Sequence, residues 1–222
     1  MDKLPFKETL LEACQIGLKN LLSLIAVTVL YLLTIWIPYL NVGTTIAMES
    51  IPAELAKGHV IDPFFIFNGK YRKNMGEFFI LLGLELMAFV PAFLLGIIPA
   101  CVLSIAWGLA ILLFVDKDMK AIDALRKSNE LTYGYKWRIF GLALVFGIFF
   151  GIISGVLGFI GGLISDAVAG VVSVILSVLF VPFALGLDAV IYRNLTSEDE
   201  PAEEAPKAEV VVEEVVVEEV KE

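Results

Sequence analysis

The sequence has little charge and a single histidine. Charged residues make up 18% of the 222 residues, whereas ordinary soluble domains carry about 25%, and 59% of the residues are apolar. A soluble fold of this length could not bury that much apolar surface. His59 lies in a polar connector, so a histidine-based triad or a multi-histidine metal site would be hard to build.

Cysteine pairs and catalytic motifs are also missing. Cys14 and Cys101 stand far apart with no CxxC neighbour, so no disulfide or metal framework is predicted. The sequence contains no phosphate-binding Gly-x-x-x-x-Gly-Lys-Ser/Thr and no His-Glu-x-x-His, the motifs of phosphate loops and zinc proteases. In 151–155 the serine comes one place too late for a nucleophile elbow. We therefore expect a non-enzymatic protein with no catalytic residues, cofactor, metal or nucleic-acid partner.

Long uncharged runs dominate the chain instead. They cover 20–48, 78–115, interrupted only by Glu85, and 139–187, interrupted only by Asp166. An apolar helix of about 20 residues crosses a bilayer core of about 30 Å. The runs predict a polytopic membrane protein with the lipid bilayer as its first partner.

Proline and glycine divide these runs into helices, because proline removes a backbone donor and clashes with the preceding turn. The predicted helices are 20–38, 77–95, 99–115, 139–162 and 168–192. The segment 42–56 is more polar, since it contains Glu49, Pro52 and Glu54.

The positions of Lys and Arg favour a sixth membrane-embedded helix at 42–56. Basic residues near helix ends stay on the cytoplasmic side, and they all fall on one side only if 42–56 returns the chain. We expect an all-α transmembrane bundle of about six helices in three hairpins over residues 1–195, in a prokaryotic plasma or inner membrane, with both termini cytoplasmic.

The connectors predict amphipathic interfacial helices. Asp118 is the expected N-cap of a helix at 118–131, and Asp62-Pro63 is a second helix start. Each hairpin follows an amphipathic stretch, a glycine and basic residues, which indicates an internal repeat. Four residues before the third hairpin are typical interfacial anchors: Tyr135, Lys136, Trp137 and Arg138.

Two acidic residues are candidates for an intramembrane polar site, Glu85 and Asp188. A charge inside hydrocarbon costs about 2.5 to 3.5 kcal/mol on insertion scales, so Glu85 must be protonated, paired or facing a protein-lined cavity. It could handle a proton or cation, or it could be a neutral carboxyl bonded to Ser104, Ser154, Ser173 or Ser177. Arg193 is the expected partner of Asp188.

Small residues recur at every fourth position in the predicted helix 139–162, at Gly147, Gly151 and Gly155. This spacing lets helix backbones approach closely. We expect these glycines to pack against another helix of the same chain. A dimer interface or a flexible gate is the alternative.

The tail at 196–222 holds eleven acidic and two basic residues and so carries all of the net charge of −9. Its near-repeat of Val-Val-Val-Glu-Glu has a period of five, which fits neither helix nor strand. We expect an acidic disordered tail.

The stretch 121–142, with its Ala-Leu-x-x-Ser-x-x-Leu-x-x-Gly pattern before an aromatic helix start, resembles an uncharacterised family of bacterial multi-pass membrane proteins. That family is similar to the membrane domain attached to some glycerophosphodiester phosphodiesterases. The phenylalanines at 64–67, the turn at 97–99 and the ending at 182–195 also fit. The resemblance implies a six-helix prokaryotic membrane protein of unknown activity and transfers no site residues. The polar segment 42–56 and the Val/Glu tail depart from the family pattern.

Two functions follow as alternatives. The first is a non-enzymatic protein that assembles with other membrane proteins of the envelope or modulates the bilayer, in an oligomeric state that the sequence leaves open. The second is a small transporter or channel subunit that uses Glu85. The second requires Glu85 and Asp188 to line a common cavity.

Overall fold

A computed structural model describes residues 3–197 of the chain. These residues form nine α-helices and two short 3₁₀ helices, with no strand among them, so the predicted all-α fold is confirmed. The α-helices are α1 (Phe6–Lys19), α2 (Leu21–Thr34), α3 (Leu40–Ala56), α4 (Met75–Leu95), α5 (Ile97–Trp107), α6 (Ala110–Asp116), α7 (Ala121–Thr132), α8 (Lys136–Gly162) and α9 (Asp166–Thr196). The 3₁₀ helices are Pro63–Phe67 and Gly69–Arg72.

Four helical segments are long and apolar enough to cross a membrane: Met75–Leu95, Ile97–Asp116, Lys136–Gly162 and Asp166–Thr196. A fifth is available if α1 and α2, which meet at an angle of 73°, form one broken span. Their outward side chains are large and apolar, as at Leu94 and Leu95, which are 80% and 81% exposed. Such surfaces fit a lipid environment, so the protein is membrane-embedded.

The predicted hairpins are present as the helix pairs α2–α3, α4–α5/α6 and α8–α9. Each amphipathic segment contacts mainly a hairpin other than the one that directly follows it in the chain. The 3₁₀ helices contact the first hairpin, α7 contacts the second, and α1 contacts the third along α9. The internal repeat stays a prediction.

The helix at α3 is mostly enclosed by protein. Its residues Ile46, Ala47 and Ile51 are fully buried, and α2, α6 and α9 surround it. With 17 residues, including Glu49 and Glu54, α3 is not among the segments fit to cross a membrane. Its polarity is tolerated because its neighbours are helices rather than lipid.

The predicted helix 99–115 is interrupted at Gly108 and Leu109. Ser128 of α7 satisfies the freed backbone groups there. Its Oγ accepts a hydrogen bond from the Leu109 N–H at 3.2 Å and donates one to the Ala106 carbonyl at 2.8 Å. This break was not predicted, because the side chain that stabilises it lies 19 residues further along the chain.

One of the two predicted helix starts is wrong. Asp118 does not cap α7, because it lies in the left-handed region with φ 50° and its carboxylate accepts a hydrogen bond from Asn74 Nδ2 at 2.9 Å. Asp62 does cap its helix, accepting from the Phe64 N–H at 2.7 Å, but that helix is a single 3₁₀ segment.

The predicted boundary between the membrane domain and the tail falls inside α9, which continues to Thr196. Residues 198–222 of the tail lie outside the described residues.

Candidate functional site

A cavity of about 380 Å³ lies among helices from all three hairpins. Helices α3, α4, α5, α6 and α9 each contribute side chains to its wall. The lining is mainly apolar and aromatic but contains three carboxylates and no Lys, Arg or His. The lining residues are Glu49, Pro52, Leu82, Glu85, Leu86, Phe89, Leu103, Ser104, Trp107, Gly108, Ile111, Leu112 and Asp188.

The three carboxylates come from three hairpins. Glu49 belongs to α3, Glu85 to α4 and Asp188 to α9. Glu49 is close enough to interact electrostatically with both of the others. Asp188 is deep among the helices yet its side chain is accessible, because it faces the open cavity.

None of the three carboxylates has a hydrogen bond or an ion pair with another described residue. Two acids outside the cavity, by contrast, are paired with basic residues. Glu54 pairs with His59 Nδ1 at 2.9 Å and with Lys70 Nζ at 3.8 Å, and Glu12 pairs with Arg193 at 2.6 Å. No Lys, Arg or His side chain among residues 3–197 therefore pairs with the carboxylates of the cavity.

The local sequence explains why the cavity forms beside irregular helix. Pro52 lies inside α3 and has no N–H to offer the Met48 carbonyl, its i−4 partner in a regular helix. Gly108 marks the break between α5 and α6 and adds no side chain to the space. Freed backbone groups of this kind are tolerated at membrane depth where they line a cavity or contact protein.

A polar cluster ties together the ends of α3, α6 and α9. Asp116 is its centre, with a side chain only 3% exposed. Its Oδ2 accepts a hydrogen bond of 2.7 Å from the Tyr192 hydroxyl, and its Oδ1 pairs with Lys57 Nζ. About one helical turn separates this cluster from the cavity residues Leu112 and Asp188.

The structure brings the two predicted polar residues, Glu85 and Asp188, to the same cavity. Glu49 is the member that sequence reasoning did not place there, although its lack of a nearby basic residue was a usable signal. Of the two alternatives for Glu85, the bond to a serine is not found among residues 3–197. Ser104 lines the cavity, but its hydroxyl donates to the Ala100 carbonyl of its own helix at 2.9 Å.

The expected pairing of Asp188 with Arg193 is wrong. Five residues along a helix rotate a side chain by about 140°, so the two point to different sides of α9. Arg193 faces α1 and donates to the Glu12 carboxylate, because α1 lies along α9.

The glycine stripe also differs from expectation. A Cβ built on Gly147, Gly151 or Gly155 would meet no atom within 4 Å, so the intramolecular contact predicted for these glycines is absent from residues 3–197. The close approach in the third hairpin uses Gly161 instead, where a Cβ would lie 3.1 Å from Ala169 Cα. A sequence pattern alone does not say which face of α8 meets α9.

The predicted anchors lie together at the start of α8. Lys136 Nζ donates to Asn129 Oδ1 at 2.8 Å, and Trp137 is 83% exposed with its ring edge-on to Phe140. Their placement suits an interfacial role, which stays a prediction.

The three carboxylates do not converge on one point. Among residues 3–197, no group of three or more His, Cys, Asp or Glu side chains is arranged to hold a metal ion. Comparison with protein families, with curated proteins and with solved structures finds no match for the chain.

Proposed function

We propose that this protein is a small transport protein that binds an organic cation in the cavity lined by Glu49, Glu85 and Asp188, in exchange for protons. One observation carries the proposal: three carboxylates from three hairpins share a mainly apolar cavity without a basic residue. Carboxylates that share a mainly apolar cavity without a counter-charge disfavour one another's ionisation. The site therefore takes up either protons or a positively charged ligand.

The walls favour an organic cation over a bare metal ion. Phe89 and Trp107 line the cavity, and aromatic faces attract cations that have shed water. The volume of about 380 Å³ lies within the range of roughly 300 to 1,000 Å³ of small-molecule sites. A monovalent ligand would release one proton for each charge that it brings, so that the net charge of the cavity is unchanged.

The cluster of Lys57, Asp116 and Tyr192 would serve as a closure at one end of this site. It connects three helices that also line the cavity. Opening would require Asp116 to give up both partners at once, and the irregular backbone at Pro52 and Gly108 would let α3, α5 and α6 bend.

We place this function ahead of the assembly role expected from the sequence, because the shared cavity gives Glu85 and Asp188 the setting that a cation site needs. The proposed location remains a prokaryotic plasma membrane with both termini in the cytoplasm. The distribution of Lys and Arg in the sequence supports it.

Binding of tetraphenylphosphonium, a lipophilic organic cation, to the purified protein in detergent tests the proposal. Binding should strengthen from mildly acidic to mildly alkaline pH, because protons compete for the same carboxylates. Glu85→Gln and Asp188→Asn should each weaken it by about tenfold or more, the equivalent of about 1.4 kcal/mol.

Glu130→Gln is the matched control, since it makes the same chemical change on the exposed side of α7 away from the cavity. It should bind like the parent. Equal binding by the parent and the two cavity variants, with all proteins folded, would show that the carboxylates do not hold the cation.

A further inference from the structure

We propose that the groove between α4, α5 and α7 binds one anionic phospholipid, with its phosphate at Arg126 and one acyl chain along α4. This groove lies on a different face of α4 from the acidic cavity. Its lining includes Leu84, Met87 and Ala88, whereas the cavity uses the stripe with Glu85 and Phe89. Trp107 is the one residue that lines both, and the inference otherwise rests on residues that the proposed transport function does not use.

The body of the groove is apolar. Leu84, Met87 and Ala88 follow one another at helical spacing on α4, with Met87 77% exposed. Trp107 and Ile122 form the opposite walls. The groove encloses about 580 Å³, so its shape offers room for a hydrocarbon chain held on three sides.

Positive charge is concentrated at one end. Arg126 lines the groove and has no ion pair with any described residue, although Asp123 and Glu130 share its helix. Asn129 also lines the groove, and its Oδ1 accepts a hydrogen bond from the Lys136 ammonium at 2.8 Å. That bond holds a second cation beside the same end of the groove.

Arg126, at the edge of the apolar groove, is exposed and available to pair with an anion from outside the chain. The guanidinium offers a planar fork that matches a phosphate, and each basic residue near an anionic lipid surface contributes about 1 kcal/mol. A cationic end joined to an apolar trough has the shape and charge of an anionic phospholipid. A partner helix would fill the trough but leave Arg126 and Lys136 without a counter-charge.

Native mass spectrometry of the full chain released from detergent tests this inference. Phosphatidylglycerol and phosphatidylcholine with identical acyl chains serve as the two probes. The parent should retain one phosphatidylglycerol in preference to phosphatidylcholine. Arg126→Gln should reduce that preference by about fivefold, since about 1 kcal/mol corresponds to that factor, and Arg126→Lys should recover part of it.

Two further variants separate a built site from general attraction. Lys73→Gln removes the same charge from an exposed position outside the groove and should leave retention unchanged. Ala88→Trp fills the trough and should reduce retention of both lipids at the site. Glu85→Gln should have no effect, because it belongs to the acidic cavity.

Equal losses in Arg126→Gln and Lys73→Gln would overturn the inference, since they would indicate unspecific surface attraction. Equal retention of the two lipids by the parent would also overturn it. So would a copurifying protein that Ala88→Trp displaces. Circular dichroism of each variant confirms that the helical fold is intact.

Discussion

The hydroxyl of Tyr192 donates a 2.7 Å hydrogen bond to the carboxylate of Asp116, which lies 76 positions earlier in the chain. The bond links the last helix of the third hairpin to the last helix of the second. Because the Asp116 side chain is only 3% exposed, this contact is protected from water, and the same carboxylate reaches Lys57 of the first hairpin. One acidic residue therefore joins all three hairpins.

Removing the hydroxyl should loosen this junction. We expect Tyr192→Phe to lower the free energy of unfolding by about 1.5 to 3 kcal/mol, the usual contribution of a hydrogen bond to a charged group. Thermal unfolding in detergent measures the effect. Tyr133→Phe is the control, because Tyr133 is exposed, and it should melt like the parent. An unchanged melting temperature in Tyr192→Phe would show that the bond does not hold the hairpins.

A loss of stability is also expected where α1 crosses α9. A Cβ on Gly186 would lie 2.5 Å from the Ala13 carbonyl oxygen, and backbone on both sides leaves little room to move. Gly186→Ala should therefore destabilise the fold by about 1 to 3 kcal/mol through overpacking.

Gly151→Ala provides the comparison, because a Cβ there meets nothing within 4 Å. It should be neutral or slightly stabilising, since alanine favours helix by up to about 1 kcal/mol over glycine. Melting temperatures in the same detergent compare the stability of the two variants with that of the parent. Destabilisation by Gly151→Ala comparable to that by Gly186→Ala would show that the glycine stripe contacts another helix, as in the dimer alternative.

The break between α5 and α6 depends on Ser128. Ser128→Ala would leave the Leu109 N–H without its partner in a buried place, which costs about 1 to 3 kcal/mol. Ser173→Ala is the matched change, because that hydroxyl bonds only within its own helix, and it should have little effect. Hydrogen exchange at Leu109 should become faster in Ser128→Ala alone. Unaltered exchange there would mean that the break holds without the serine.

The helices and their pairing could be predicted from the sequence, because long uncharged runs and the turns at Pro38, Gly96 and 163–165 are local signals. The predicted span 168–192 is extended at both ends in α9, which begins at Asp166 after the Ser165 cap and continues to Thr196. The break at Gly108 was missed because its partner Ser128 is distant in the chain.

The candidate site was predicted in part. Glu85 and Asp188 stand out as acids in apolar runs, but their meeting with Glu49 depends on which face each helix turns inward. The same ambiguity explains the errors at Arg193 and at Gly147, Gly151 and Gly155. Helical spacing indicates that a stripe exists, whereas only tertiary contacts determine what it faces.

The most direct test of the central claim is exchange of tetraphenylphosphonium against protons in vesicles that contain the purified protein. An imposed proton gradient should drive movement of the cation in vesicles with the parent or with Glu130→Gln. Vesicles with Asp188→Asn, at matched protein content, should show only the leak of protein-free vesicles. Gradient-driven movement at the parent rate in Asp188→Asn would contradict the proposed role of the acidic cavity.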